Sequence, residues 1–139
     1  MSFIVAVDGP AGSGKSTISK MVAKKYKLTY LDTGAMYRMI AFTSIRDGVD
    51  LDNIDKVVDL LNKVSIDMKN DKFYVDGKDV SLEIRTPEVT AIVSKVAAIK
   101  EVRIKLVDLQ RKISKGKDVI LDGRDIGTVV FKDANLKIF

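Results

Sequence analysis

The chain has 139 residues, 24 Lys and Arg against 19 Asp and Glu, and a formal net charge of +5; hydrophobic residues make up 46% and charged residues 31%. That balance is globular and excludes a disordered or fibrous chain, and no apolar run approaches the roughly 20 residues a bilayer span needs. Cys and His are both absent, which removes disulfides, thiolate zinc sites, cysteine nucleophiles and imidazole general bases, and leaves Lys, Arg, carboxylate, hydroxyl and backbone chemistry.

Phe3–Val7 (FIVAV) is a short continuous apolar run, the pattern of a strand buried on both faces of a parallel sheet. It leads into a glycine-rich turn and then a helical stretch with Ile18, Met21 and Val22 on one face. Leu28–Leu31 is a second strand, and Thr33–Arg46 a helix through Met36, Met39, Ile40 and Thr43. Asn53–Lys63 is an amphipathic helix with Ile54, Val57, Val58 and Leu61 as its stripe. The period then changes to two, and Asp76-Gly77 after Phe73-Tyr74-Val75 signals a hairpin, so about 64–85 is expected to be a small antiparallel insert. Thr86-Pro87-Glu88 opens a helix with a hydroxyl cap, proline in the first turn and an early acid. Val89, Ile92, Val93 and Val96 form its buried stripe, and Val102, Leu106, Leu109 and Ile113 that of the next helix. Val119–Leu121 is a buried strand ending in Asp122-Gly123-Arg124-Asp125, and Leu136–Phe139 begins another.

Strands alternating with helices predict an α/β fold with a parallel sheet, of the P-loop NTPase type by the phosphate-loop match at 9–16, in one domain over residues 1–139 that carries the small β insert. The start has neither the basic n-region nor the apolar stretch of a signal peptide, so a soluble, cytoplasmic protein is expected. The cations are mostly scattered Lys among acids, and Lys20, Lys24, Lys25 and Lys27 read as the wet face of one helix. No RRM or KH signature is present and aromatics do not interleave with basic clusters, so nucleic acid is not an expected partner.

Gly9-Pro10-Ala11-Gly12-Ser13-Gly14-Lys15-Ser16, followed by Thr17, matches the phosphate-loop pattern G-x-x-x-x-G-K-S/T in full, between a strand and a helix. The glycines let backbone N–H groups converge on phosphates at a helix N-terminus. Lys15 is then expected on the β- and γ-phosphates and Ser16 on Mg²⁺. Asp122 ends an apolar strand in the place of a Walker-B-like acid, and Asp32 ends Leu28–Leu31 in the same way; either acid is also a common turn former or helix cap. The Asn-Lys-x-Asp guanine reader of GTPases is missing, since Asn62-Lys63 continues into Val64-Ser65.

Three further segments give the chain its resemblance to a family. They are Leu31-Asp32-Thr33-Gly34-Ala35-Met36-Tyr37-Arg38, then Ser94-Lys95-Val96-Ala97-Ala98 with Val102-Arg103, then the run Asp122 to Phe131 (DGRDIGTVVF). In order and spacing the chain resembles bacterial cytidylate kinase along essentially its whole length. The insert, with Ile84-Arg85-Thr86, resembles that family's extension of the monophosphate-binding region. The resemblance implies a transferase of pyrimidine metabolism that phosphorylates CMP, and commonly dCMP, from ATP with Mg²⁺, as a monomer. It places Arg38 and Arg124 on the CMP phosphate as catalytic partners of Lys15, with Thr33 and Tyr37 lining that site. Ser94, Arg103 and Asp125 would read the cytosine edge.

The residue types suit those roles, since Arg offers a planar fork of donors and the cytosine amino group can donate to an acid. Taken singly, Arg38 and Arg103 read as helix-surface cations, Ser94 as an ordinary helix hydroxyl and Arg124–Asp125 as a salt bridge. In-line phosphoryl transfer needs mainly positioning and charge neutralisation, which a protein without His or Cys can supply. The family continues past this point into an arginine-rich lid, so the 139 residues are expected to be part of a longer kinase and to lack full activity alone. Another P-loop monophosphate or metabolite kinase, or an inactive nucleotide-binding module, are the alternative readings.

Overall fold

The computed structural model describes residues 3–9, 14–69, 72–123 and 134–138, and of Lys15 the backbone alone. In chain order its elements are β1 (Ile4–Asp8), α1 (Lys15–Tyr26), β2 (Thr29–Asp32), α2 (Thr33–Arg46), α3 (Ile54–Lys63), β3 (Ile66–Lys69) and β4 (Lys72–Val75). There follow β5 (Lys78–Asp79), a 3-10 turn (Glu83–Arg85), α4 (Pro87–Ala98), α5 (Lys100–Ser114), β6 (Val119–Gly123) and β7 (Leu136–Ile138). The chain divides into two compact units, Met1–Gly34 with Val107–Phe139, and Ala35–Leu106. Among the described residues no helix is long and apolar enough to cross a membrane.

In the first unit the apolar runs pair as a parallel sheet in the order β2-β6-β1-β7. Parallel strands are covered on both faces, and all five residues of β6 are buried. Asp118 joins the strand starts: its Oδ1 accepts the Phe3 N–H and its carbonyl the Thr29 N–H, both at 2.9 Å. At the other ends the register sets Asp32 beside Asp122 and Asp8 beside Gly123. The acids therefore lie at the carboxyl edge, where open α/β sheets bind ligands. Val5, Val7, Ala23 and Ile120 form one buried core cluster, with Val22, Leu28, Tyr30 and Ile138 packed against it.

The helical period in α1 points elsewhere than predicted. Ile18 and Met21 are exposed, whereas Ser19 and Ala23 are buried. Of the predicted face only Val22 packs against the core; the small residues are what the helix turns inward. The predicted wet lysines, Lys20, Lys24, Lys25 and Lys27, are all exposed.

In the second unit α2 buries Met36, Met39, Ile40 and Thr43 as its period predicts. Asn53 caps α3, its side chain accepting the Lys56 N–H at 3.3 Å. The buried stripe is Val57, Leu60 and Leu61, so Ile54, at 44% exposure, falls outside it. The insert is an antiparallel sheet in the order β3-β4-β5. Its Asp76-Gly77 turn has φ of 50° and 82°, the pair of positive angles that matches the twist of two short strands. Pro87 opens α4 as expected, but Thr86 does not cap it with its side chain. The hydroxyl donates instead to the Glu83 carbonyl at 2.9 Å, because the 3-10 turn leaves that acceptor within reach. Val89, Val96, Val102 and Leu106 are buried. Beyond Leu106, in the part of α5 that belongs to the first unit, Gln110 and Ser114 are the buried positions and Leu109 and Ile113 are half-buried. The stripe there keeps four-residue steps from Val102 rather than the mixed spacing predicted.

Candidate functional site

The site begins where β1 stops. The Gly9 N–H donates to the Gly123 carbonyl at 3.3 Å, tying the loop's first residue to the end of β6. At its far end Gly14 takes φ of 81°, a left-handed conformation that costs an L-residue about 1–2 kcal/mol. The Ile18 N–H donates to the Gly14 carbonyl at 3.1 Å and starts α1. No acid sits in that first turn, so the positive end of the helix is left uncompensated for an anion. Ser16 and Thr17 are exposed there. Pro10, Ala11, Gly12, Ser13 and the side chain of Lys15 lie outside the described residues.

Beside this turn the Tyr30 phenol faces two side chains. The Tyr30 phenol donates to Asp122 Oδ2 at 2.7 Å, and the Ser16 hydroxyl interacts with the same phenol. Burial, the charge of Asp32 and the bond to Asp122 together push the phenol well above its ordinary range, against a smaller opposing pull from Ser16. Tyr30 is thus a neutral donor at any working pH. Its ring packs against the core, and the Lys20 ammonium stands 5.8 Å from the ring centroid. Asp122 itself is only 2% exposed. Its carbonyl accepts the hydroxyl of buried Thr33, a residue predicted to line the monophosphate site, at 2.6 Å. Gly34 leaves space beside Asp32, where a Cβ would stand 3.4 Å from Oδ1.

These donors are a hydroxyl and carboxylates, a hard oxygen set. Among the described residues no group of three or more acids could hold a cation by itself. A hydroxyl and carboxylates are the donor type that suits Mg²⁺, which is commonly shared between one or two protein oxygens and the phosphates of a nucleotide.

Four further predicted residues, Tyr37, Arg38, Ser94 and Arg103, belong to the second unit. Arg38, half-buried on α2, donates from Nη1 to the Ile84 carbonyl at 3.1 Å and to Thr90 Oγ1 at 3.0 Å. Tyr37 beside it is half-buried. Ser94 on α4 and Arg103 on α5 are exposed, and among the described residues neither side chain joins the Arg38 network. Arg124 and Asp125 lie outside the described residues. The same unit has a cleft of about 310 Å³ that includes Arg46, Lys56, Lys63, Asp47, Asp59 and Asp76. Arg46 is paired there with Asp47 at 2.9 Å and Asp76 at 3.1 Å, and three cations against three acids leave these side chains with no net formal charge.

Tyr30 and Thr90 were not predicted from the sequence. For Tyr30 a signal exists: on a strand, positions 30 and 32 share a face, which sets the phenol on the side of Asp32. Thr90 carries no such signal, being one polar residue on an exposed helix face.

A parallel sheet flanked by helices, with Gly14 in a left-handed turn at the start of α1 and acids at the adjoining strand ends, is consistent with a P-loop kinase fold. Residues 5–139 match the family described as cytidylate kinase, and the chain belongs to that family. It is 56% identical over 138 residues to a cytidylate kinase of Fusobacterium nucleatum, covering 99% of this chain and 63% of that protein. It is 50% identical to one of Clostridioides difficile, covering 99% of this chain and 64% of the relative. A third, of Alkaliphilus oremlandii, is 49% identical and covered to 64%. The chain therefore spans just under two thirds of the length of these relatives.

Proposed function

We propose that the protein transfers the γ-phosphoryl group of ATP to CMP and dCMP, with Mg²⁺, to give the diphosphates. The observation that carries the nucleotide half is the Tyr30 phenol beside the Gly14 turn, bonded to Asp122 and interacting with Ser16. The choice of CMP draws support from family membership, from three relatives named cytidylate kinase, and from Ser94, Arg103 and Asp125 as donors and acceptor suited to a cytosine edge.

In this reading the backbone N–H groups of residues 9–14 and the start of α1 bind the ATP phosphates. Lys15 neutralises the β- and γ-oxygens, and Arg38 and Arg124 hold the CMP phosphate with an oxygen directed at the γ-phosphorus. Tyr37 flanks that phosphate. Ser16 holds Mg²⁺, with Asp122 or Asp32 behind it through water; the ion supplies charge neutralisation when bound. Transfer is in line, the CMP phosphate oxygen forming its bond to phosphorus as the bond to the ADP oxygen breaks, with no covalent enzyme intermediate. A monomer working in the cytoplasm without nucleic acid belongs to the same reading.

The test is ADP release by the full-length protein with Mg-ATP and, separately, CMP, dCMP, UMP and AMP. CMP and dCMP are expected to drive the fastest release. Uniform inactivity towards CMP and dCMP would defeat the proposal.

A further inference from the structure

Arg38 has five N–H donors, and the two on Nη1 are taken up by acceptors from different elements: the Ile84 carbonyl at 3.1 Å and Thr90 Oγ1 at 3.0 Å. Ile84 lies in the 3-10 turn and is fully buried, so its carbonyl is anchored by the core of the unit. Thr90 lies one turn into α4, a helix pinned by buried Val89 and Val96. Two fixed acceptors on one nitrogen define both the position and the rotation of a planar guanidinium. What remains is the edge formed by Nε and Nη2, which makes no bond to any described residue. That edge is the fork that grips a phosphate through two parallel hydrogen bonds.

We propose that Thr90 is a positioning residue for recognition of the monophosphate: its hydroxyl, with the Ile84 carbonyl, holds Nη1 of Arg38 so that the Nε–Nη2 edge is presented to the phosphate of the acceptor nucleotide. This rests on the reading of Arg38 as a phosphate ligand. Without the hydroxyl, Nη1 keeps one acceptor, the guanidinium swings about the Ile84 contact, and the fork must be ordered again each time a phosphate binds. The penalty falls on the phosphate and spares the base and the ATP site.

The test is the affinity ratio of CMP to cytidine, measured by calorimetry or competition on the full-length protein and on its Thr90→Val, Thr90→Ser and Arg38→Ala variants. Valine keeps the shape and β-branching of threonine but cannot accept a hydrogen bond, and serine keeps the hydroxyl. Thr90→Val is expected to lower the ratio by about three- to tenfold, the worth of one hydrogen bond to a charged group in a partly exposed setting. Cytidine and ATP affinities are expected to hold, and Thr90→Ser to retain the wild-type ratio. An unchanged ratio in Thr90→Val, while Arg38→Ala abolishes the preference for CMP, overturns the role of Thr90 alone. An unchanged ratio in Arg38→Ala overturns the reading of Arg38 as well. A loss in Thr90→Val that is equal for CMP and cytidine also overturns the proposal, since it marks a general effect on the fold.

Discussion

Replacing Tyr30 with Phe removes one hydroxyl and little else. The ring is the same size, so its packing against Val5, Val7, Ala23 and Ile120 and the Lys20 ammonium at 5.8 Å are kept. What is lost is the 2.7 Å bond to Asp122, a carboxylate that is only 2% exposed. A hydrogen bond to a charged group is worth about 1.5–3 kcal/mol. Tyr30 is half-buried, and water admitted at its exposed side restores part of that, so we expect a loss of about 1–2 kcal/mol of stability. An unfolding entropy of about 2.1 cal/mol/K per residue puts the fall in Tm near 3–7 °C for a chain of this size. The phenol also interacts with Ser16, so under the proposed function the Mg²⁺-dependent gain in ADP affinity is expected to shrink while Mg²⁺-free ADP binding stays the same. Thermal unfolding by circular dichroism reads the first effect and calorimetry with and without Mg²⁺ the second. An unchanged or raised Tm would refute the claim that the phenol supports a buried carboxylate.

Other consequences are as direct. Leu121 is fully buried at the centre of β6, so Leu121→Ala is expected to cost about 2–5 kcal/mol through a cavity the sheet cannot close, readable as a lower midpoint in urea. The bond from Arg46 holds the Asp47 carboxyl below its ordinary value of 3.8, and the hydroxyl and N–H of Ser81 do the same for Asp79. A carboxyl lowered by folding stabilises above its unfolded pKa, and that contribution is lost as pH falls through the folded value. Carboxyl NMR titration is expected to place both midpoints below 3.8, and midpoints at or above it would contradict the pairing.

Much of this architecture is legible in the residues because backbone chemistry dictates it. A buried parallel strand must be continuously apolar, which marks β1 and β6, and a left-handed turn calls for glycine, which marks Gly14 and Asp76-Gly77. The misreadings come from choices that period alone does not resolve. In α1 the inward residues are small, Ser19 and Ala23, while the larger Ile18 and Met21 are exposed. In α5 a glutamine and a serine occupy buried positions that a hydropathy pattern gives to Leu109 and Ile113. The Thr86 hydroxyl has two possible uses, and the choice depends on a carbonyl three residues back that only the folded turn brings close. The supports of the site were hidden for a similar reason. Tyr30 and Thr90 act through Asp122 and Arg38, and a residue that works through a partner distant in sequence leaves no local pattern.

We propose that this chain belongs to a kinase that selects CMP as phosphoryl acceptor. The most direct measurement is a competition in which the full-length protein receives Mg-ATP with CMP and UMP at equal concentration, and phosphorus NMR follows CDP and UDP together. Both acceptors see the same enzyme, so the ratio of initial rates is the ratio of their kcat/KM. CDP is expected to accumulate well ahead of UDP, with ADP formed one for one. UDP appearing as fast as CDP, or ATP broken down to phosphate without either diphosphate, would contradict the account.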